Sequence, residues 1–397
     1  HQWHYHFLHL PQSYQSRFFP INFCVLFACT NFGTLDPYFF YFDLLRLHLL
    51  YIGSSKIGRR PFPEDLDGEI LLRLPVKSLL RFKCVCKNWY VLIKSPAFIR
   101  KHLNCSKNKP SQFMIYDYNA RDDSPPIALI PENHGDGEAP DYIHRFKGMT
   151  NVIGSVDGLF LLQREIDPEN RYMQIFAMAL WNPSTREVRH LPPHKIQYTH
   201  CGFRLDPLTN DYKVVYYNFH CGEYEYAAVY SCSTDSCRNI TPKIKFYSYG
   251  RSLHESYGTA YLNGAYYWLL SEGLKYSIVL FDFSNEVFEE IEGPDDISFS
   301  SLILLDDSVA LLPFYGNCVH DIWVMIQPGV WNKRFTFQCF TYPRTWYSSC
   351  LILVTKRSRL VSYNVRTTKT RRLGFCHPVL RRNCGVYVYK ESLVTLK

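Results

Sequence analysis

The 397-residue sequence has no paired C-x-x-C units, no long run of Lys and Arg, no glycine-rich phosphate loop and no uninterrupted apolar stretch of the length a membrane span needs. Each absence removes a class of protein. Without paired cysteines there is no zinc-ribbon geometry to build, and Cys232 and Cys237 have no matching pair. The 14 cysteines sit singly or as Cys84-Val85-Cys86 inside apolar stretches, which reads as reduced, intracellular core thiols rather than a disulfide framework. Lys and Arg outnumber Asp and Glu by 44 to 36, a formal charge of +8, but they are scattered among acids with no basic helical stripe, so the charge by itself names no nucleic-acid or membrane partner.

Catalytic signatures are missing too. The run "GSVDG" at 154–158 is not G-x-S-x-G, and its Asp157-Gly158 suits a turn joining two strands. His254-Glu255 lacks the second histidine of H-E-x-x-H. Asp206, Asp211, Asp306 and Asp307 stand at turn-like sites, where a carboxylate accepts backbone hydrogen bonds. The expectation is a chain with no catalytic residues, no metal and no cofactor.

What is abundant is aromatic. The 30 Tyr and 28 Phe favour extended, half-buried strands, so a mainly β protein is expected. Residues 1–60 differ from the rest, with aromatic runs such as "DPYFFYFDLLRLHLLYI" and few acids. The apolar stretch Phe18–Thr30 is broken by Asn31, Gly33, Asp36, Pro37 and Asp43, well short of the roughly 20 residues a span requires. This segment is read as an irregular or disordered extension, not a membrane anchor, and His4, His6 and His9 as solvated side chains without the acidic or thiolate support of a metal site.

Residues 61–103 read "PFPEDLDGEILLRLPVKSLLRFKCVCKNWYVLIKSPAFIRKHL". Pro63 followed by Glu64 and Asp65 is a helix start, because proline needs no donor there and the acids complement the positive end of the dipole. Leu66, Ile70, Leu71 and Leu74 recur at helical spacing until Pro75; Ser78 is the expected N-cap of a second helix carrying Leu79, Leu80, Phe82 and Val85; Trp89, Leu92 and Ile93 mark a third that ends at Ser95-Pro96. Three short helices cannot bury this much Leu, Ile and Trp among themselves, so part of the apolar surface should meet another polypeptide.

The block resembles an F-box along "EIL.RLPVKSLLRFKCVCK.W..LI.SP.F...H", with Phe62 where Leu is usual and Asn88 where Ser or Arg is common. The resemblance implies docking on the SKP adaptor of an SCF-type ubiquitin ligase and, through it, on a cullin scaffold. It places Pro63, Leu66, Ile70, Leu71, Leu74, Pro75, Leu79, Leu80, Val85, Trp89, Leu92 and Ile93 on motif positions, some touching the adaptor and others holding the helices together.

Residues 104–111 are read as a linker, with Lys107–Pro110 a polar hinge, and 112–397 as a β region interrupted early by a polar loop, Pro131–Lys147. In that region a strand, a polar turn and a second strand recur around Trp181, Tyr230, Asp282, Trp323 and Tyr363, at separations of 49, 52, 41 and 40 residues. Second hairpins lie between them, among them "YLNGAYYWL", whose Asn263-Gly264 suits a type I′ turn. Two hairpins per period make four-stranded blades, and pairing "GVYVYKESLVTL" with the early "QFMIYDY" would close a ring of about six. A pair of β-sandwiches is the alternative. Gly-Gly and Trp-Asp dipeptides are absent, so strict kelch or WD repeats are not indicated.

The phrases "GSVDGLFLL", "WNPSTREVRHLP", "GFRLDPLTNDYKVV", "YLNGAYYWL", "DIWVMIQPGVWNKRFT" and "ESLV" resemble, in order, those of the F-box-associated domain of the large plant F-box family. That likeness implies an intracellular module, cytoplasmic or nuclear, that recruits a protein target for ubiquitination. A propeller enzyme with an accessory helical segment, or an F-box protein acting as a non-degradative binding partner, are the competing readings. Trp181, Trp268, Trp323, Trp331 and Trp346 are expected in blade cores, and Arg344, Trp346 and Tyr347 are singled out as a candidate exposed recognition patch in an inter-strand loop.

Overall fold

The computed structural model describes residues 64–107, 111–117, 127–132, 141–143, 151–165, 176–192, 199–218, 226–242, 251–254, 261–272, 275–295, 300–313, 319–338, 342–347, 350–354, 359–376 and 384–396. The extension 1–60, with the apolar stretch and histidines noted above, and Pro63 lie outside them. Tertiary contacts divide the chain into two units, one ending at Phe98 and one beginning at Ile99.

The first unit is helical: α1 (Glu64–Leu71), α2 (Val76–Phe82), α3 (Lys87–Lys94) and the start of α4 (Pro96–Lys107). Among the described residues of this region there are therefore four helices where three were expected, and the residues 104–107 assigned to a linker are helical. Ser78 is not the cap of α2. Pro75 is, with φ −61° and ψ 151°, and its carbonyl accepts from the N–H groups of Ser78 and Leu79, leaving Ser78 buried inside the first turn. Proline's restricted φ suits the extended cap position, and no side chain caps this helix. Cys86 caps α3 through Sγ, which accepts from the Trp89 N–H at 3.5 Å. Ser95 ends α3 and caps α4, accepting from the Phe98 N–H at 3.2 Å, with Pro96 in the first helical position.

The second unit contains six sheets arranged as propeller blades. In chain order these are β4–β7 (Asn151–Val156, Leu159–Glu165, Phe176–Asn182, Glu187–His190), β8–β11 (Thr199–Asp206, Asp211–Asn218, Tyr226–Ser231, Ser236–Ile240), β12–β16 (Arg251–His254, Tyr261–Leu262, Ala265–Glu272, Lys275–Asp282, Val287–Glu292), β17–β20 (Ser300–Leu305, Ser308–Pro313, Val319–Gln327, Val330–Gln338) and β21–β24 (Tyr342–Tyr347, Cys350–Val354, Arg359–Asn364, Thr370–Cys376). The remaining blade joins the two ends of the domain: β25 (Cys384–Tyr389) pairs antiparallel with β1 (Gln112–Asp117), from Gln112↔Tyr389 to Asp117↔Cys384, followed by β2 (Ile127–Pro131) and β3 (Asp141–Ile143). We count this shared blade as the first, so that β17–β20 is the fifth and β21–β24 the sixth. Strand β3 falls inside the segment read as a polar loop. Inner strands β25, β4 and β8 touch in succession, β14 takes that place in the blade whose inner pieces β12 and β13 are short, and β17 and β21 return the contact to β25. The ring is closed, which disposes of the sandwich alternative.

Six apolar clusters, one between each pair of neighbouring blades, hold this ring. The strand period of two explains them. Along β9, Val214 and Tyr216 enter one cluster while Val215 and Tyr217 enter the next; along β10, Ala228 and Tyr230 do so against Ala227 and Val229. Middle strands are thus covered on both faces and read as continuous apolar runs such as "KVVYY" rather than alternating ones.

The turns obey a local rule that also sets the sequence period. Asn182, Asp282 and Asn364 each accept backbone N–H groups from residues two and three further on, and four residues on Arg186, Glu286 and Thr368 have φ of 60°, 54° and 56°. Ser231 and Asp235 (φ 49°) repeat it in part, Ser231 accepting from just the Thr234 N–H of the two backbone groups, as do Asp206 and Asn210 (φ 54°), Asp206 accepting from just the Leu208 N–H. Asp157-Gly158 and Asn263-Gly264 have positive φ at both residues, as type I′ turns require.

Candidate docking surfaces

Short helices expose much of their circumference, and in the helical unit the structure separates inward from outward side chains. Leu71, Leu79 and Ile93 are fully buried together with Leu72, Val76, Phe82 and Phe98. Ile70, Leu74, Leu80, Trp89 and Leu92 are half-buried, and Pro75 is exposed. The ring of Trp89 leans on Phe82, with centroids 5.4 Å apart. Val85 is 54%, Tyr90 46% and Val91 66% exposed. Tyr90 and Val91 were missed by the sequence spacing; they follow Trp89 on α3, where Lys94 donates to the Tyr90 hydroxyl at 3.0 Å and sits over its ring. Leu66 lies on α1, but its side chain is outside the described residues. The unit therefore has an inner layer that holds it together and an outer apolar layer made by Val85 and the middle of α3.

Two family patterns match the chain. The F-box domain pattern matches residues 62–101, and the pattern described as the F-box associated beta propeller domain matches residues 149–381. The chain belongs to the F-box-associated propeller family of F-box proteins. Similar proteins include the F-box protein CPR1 of Arabidopsis thaliana, 26% identical over 315 residues that make up 70% of this chain and 73% of that one. Another is the F-box/kelch-repeat protein At3g23880 of the same plant, 28% identical over 373 residues, 84% of this chain and 94% of that one.

In this F-box protein the candidate patch Arg344-Thr345-Trp346-Tyr347 is not an exposed loop. It forms most of β21, an inner strand; Arg344 is 5% and Trp346 8% exposed, and Tyr347 is half-buried. Trp346 packs in the cluster between the fifth and sixth blades, stacked on Phe335 at 6.1 Å, and the Tyr347 hydroxyl donates to Glu132 Oε2 at 2.9 Å. A bulge between Pro343 and Thr345 sets which side chains turn inward. Trp181 and Trp268 are buried in blade cores, whereas Trp323 and Trp331 are half-buried, and the Trp331 Nε1–H donates to the Glu292 carbonyl at 2.8 Å.

Two of the acids considered for catalysis, Asp206 and Asp211, have structural partners, whereas Asp306 and Asp307 lie exposed in a turn. Asp206 accepts from Leu208 N–H and Thr209 Oγ and pairs with Lys213 at 2.7 Å, and Lys213 reaches Glu286 of the adjoining blade at 3.1 Å. Burial works against the Asp206 carboxylate, but the Lys213, Thr209 and Leu208 hydrogen bonds outweigh it and hold its pKa below the usual value. Asp211 accepts from the Ser233 N–H at 2.8 Å and from the Ser231 hydroxyl. Burial pushes the pKa of the half-buried Cys232 thiol up to about 12, which disfavours its thiolate near neutral pH. No described helix is long and apolar enough to cross a membrane.

Proposed function

We propose that this F-box protein is the substrate-recognition subunit of an SCF-type ubiquitin ligase: the outer layer of its helices docks on the SKP adaptor, which links it to a cullin scaffold, and its propeller recruits a protein target. The observation that carries the reading is the F-box match together with the apolar side chains, Val85 and Val91 foremost, that the helices leave uncovered. The chain performs no chemistry in this scheme. Holding a target beside the ubiquitin-charged conjugating enzyme raises its effective concentration there, and the transfer is catalysed by other subunits.

The test is co-expression of the full chain with a tagged SKP adaptor. Wild-type protein should be captured, and the V85D/V91D variant, whose changes lie on the exposed layer, should not be captured while keeping its thermal transition. An intact wild-type chain that is not captured would overturn the proposal, as would undiminished capture of the variant.

A further inference from the structure

Basic residues that are far apart in the sequence are gathered on the outer edges of the fifth and sixth blades. The outermost strand β20 carries Lys333 and Arg334, and the β23–β24 hairpin carries Arg366, Lys369, Arg371 and Arg372, all exposed. Two of them converge: the Arg334 guanidinium lies 5.7 Å and that of Arg366 5.6 Å from the centroid of the same Phe335 ring. The ring attracts both cations. It does not neutralise them, and among the described residues no carboxylate pairs with either. Lys333 itself is offset by Asp321 at 2.7 Å, which also accepts from Thr336 at 2.6 Å, and so adds no free charge to the rim; Glu132 accepts from the Ser111 N–H and the Tyr347 hydroxyl. The outer strand of the preceding blade has the opposite sign, with Glu289, Glu290 and Glu292 exposed, so charge on this rim is segregated, not mixed. On the same hairpin as Arg334, the tip of β19–β20 exposes Ile326 at 60% and Val330 at 50%.

Neighbouring like charges that the fold leaves uncompensated favour an anionic ligand, and a planar guanidinium fork matches carboxylates. We propose that the rim formed by β20 and the β23–β24 hairpin docks an Asp/Glu-rich segment of the recruited protein, its acids on Arg334 and Arg366 and an apolar residue beside Ile326 and Val330. Carboxylates of a polypeptide fit better than nucleic acid, because a strand of bases needs exposed aromatic faces to stack on and Phe335 is covered by the two arginines and Trp346. This inference rests on the propeller being the recruiting module.

The experiment uses the full chain co-purified with the adaptor and a fluorescent peptide of about twelve residues, rich in Glu and Asp around one Leu, read by anisotropy at about 0.05 and 0.3 M salt. The acidic peptide should bind with salt-sensitive affinity, its Gln/Asn counterpart roughly tenfold more weakly, and the R334Q/R366Q variant should lose a similar factor. R186Q/K275Q, which removes two exposed cations elsewhere on the propeller, should bind like wild type. Equal binding of both peptides, undiminished binding by R334Q/R366Q, or binding only of a phosphoserine peptide or a single-stranded oligonucleotide would overturn the proposal. Should R334Q/R366Q fail to fold, K369Q/R372Q on the exposed hairpin replaces it, with the same outcomes. Adaptor capture is scored on the same preparations, so a failure of the ligase reading is seen separately from a failure at the rim.

Discussion

Asn182 gives the sharpest test of how the propeller is locked. It is fully buried at the end of β6 and spends its whole amide on hydrogen bonds: Nδ2 donates to the Ser392 carbonyl at 3.1 Å and the Val394 carbonyl at 2.7 Å, and Oδ1 accepts from Ser184 N–H at 2.9 Å and Thr185 N–H at 3.4 Å. The same hairpin also accepts from the tail, Ser184 Oγ from the Ser392 N–H and Glu187 Oε2 from the Leu396 N–H. Asn182→Ala leaves two carbonyls and two N–H groups short of partners in a buried site. At roughly 1 kcal/mol per lost bond, with compensation for the weakest, the expected loss is about 3 kcal/mol. For a unit of this size that lowers the melting temperature by about 6 °C. Asn182→Asp should cost more, although nearly isosteric, because a carboxylate oxygen would face two carbonyl oxygens. The coupling is tested by ending the chain after Lys390, which by itself removes the buried Leu393, Val394 and Leu396. In that background Asn182→Ala should cost less than about 1.5 kcal/mol, since half of its partners are gone. Urea titrations of the four proteins measure this. Equal cost of Asn182→Ala with and without the tail would refute the idea that this side chain acts as the latch for the tail.

Gly158 has φ +78°, and a Cβ there would lie 2.5 Å from the Lys390 carbonyl oxygen and 2.6 Å from Ser392 Cβ. Gly158→Ala should therefore destabilise well beyond Gly329→Ala, where φ is +76° but nothing lies within 4 Å and only the left-handed backbone cost of about 1 kcal/mol remains; calorimetry of the two variants compares them. For the Asp206–Lys213 pair the signs are opposite. The depressed Asp206 pKa stabilises fully above the unfolded carboxyl value of about 3.9 and is lost as pH falls through the folded value, whereas the raised Lys213 pKa stabilises below about 10.4 and is lost as pH rises through its folded value. Thermal melts against pH should show a smaller acid-side decline in Asp206→Asn and a smaller alkaline decline in Lys213→Met, and unchanged slopes would contradict the pairing. Peptide-level thiol labelling should find Cys84, Cys86 and Cys105 reactive in the native chain and Cys201 and Cys232 protected, with Cys84 and Cys86, which flank Val85, becoming protected on adaptor binding.

What the sequence discloses is what local chemistry decides. An Asx or Ser residue followed four positions later by a residue in the left-handed region closes the outer hairpins of four blades, and together with the β19–β20 hairpin, which turns instead at Gly329, these recur at the 40- to 52-residue spacing from which about six blades can be counted. Asn263-Gly264 and the β25–β1 closure are legible for the same reason, since turn residues and strand patterns announce themselves within a few positions. Helix boundaries were less so. Ser78 looks like a cap only until Pro75, whose ring already fixes the cap geometry, is seen to hold the first turn.

Surfaces are a different matter, because a side chain's exposure depends on what stacks against it from elsewhere in the chain. Arg344 and Trp346 look like a polar-aromatic loop in the sequence, yet β21 is sandwiched between the fifth-blade core and the first blade, so both faces are covered. The apolar residues of α1–α3 recur at spacings too short to tell an inner from an outer layer, and only the packing shows Leu79 inside and Val85 outside. The basic rim was hidden by chain distance: Lys333 and Arg334 stand some thirty residues before Arg366, and a formal charge of +8 spread over 397 residues suggests no patch. A blade period near 40 residues brings equivalent outer strands side by side, so residues one period apart become neighbours on the rim. Charge that is diffuse along the chain thus becomes concentrated in space whenever two successive blades place their cations on the outer strands, as β20 and β24 do here, while the acidic β16 one blade earlier sets the opposite sign beside them.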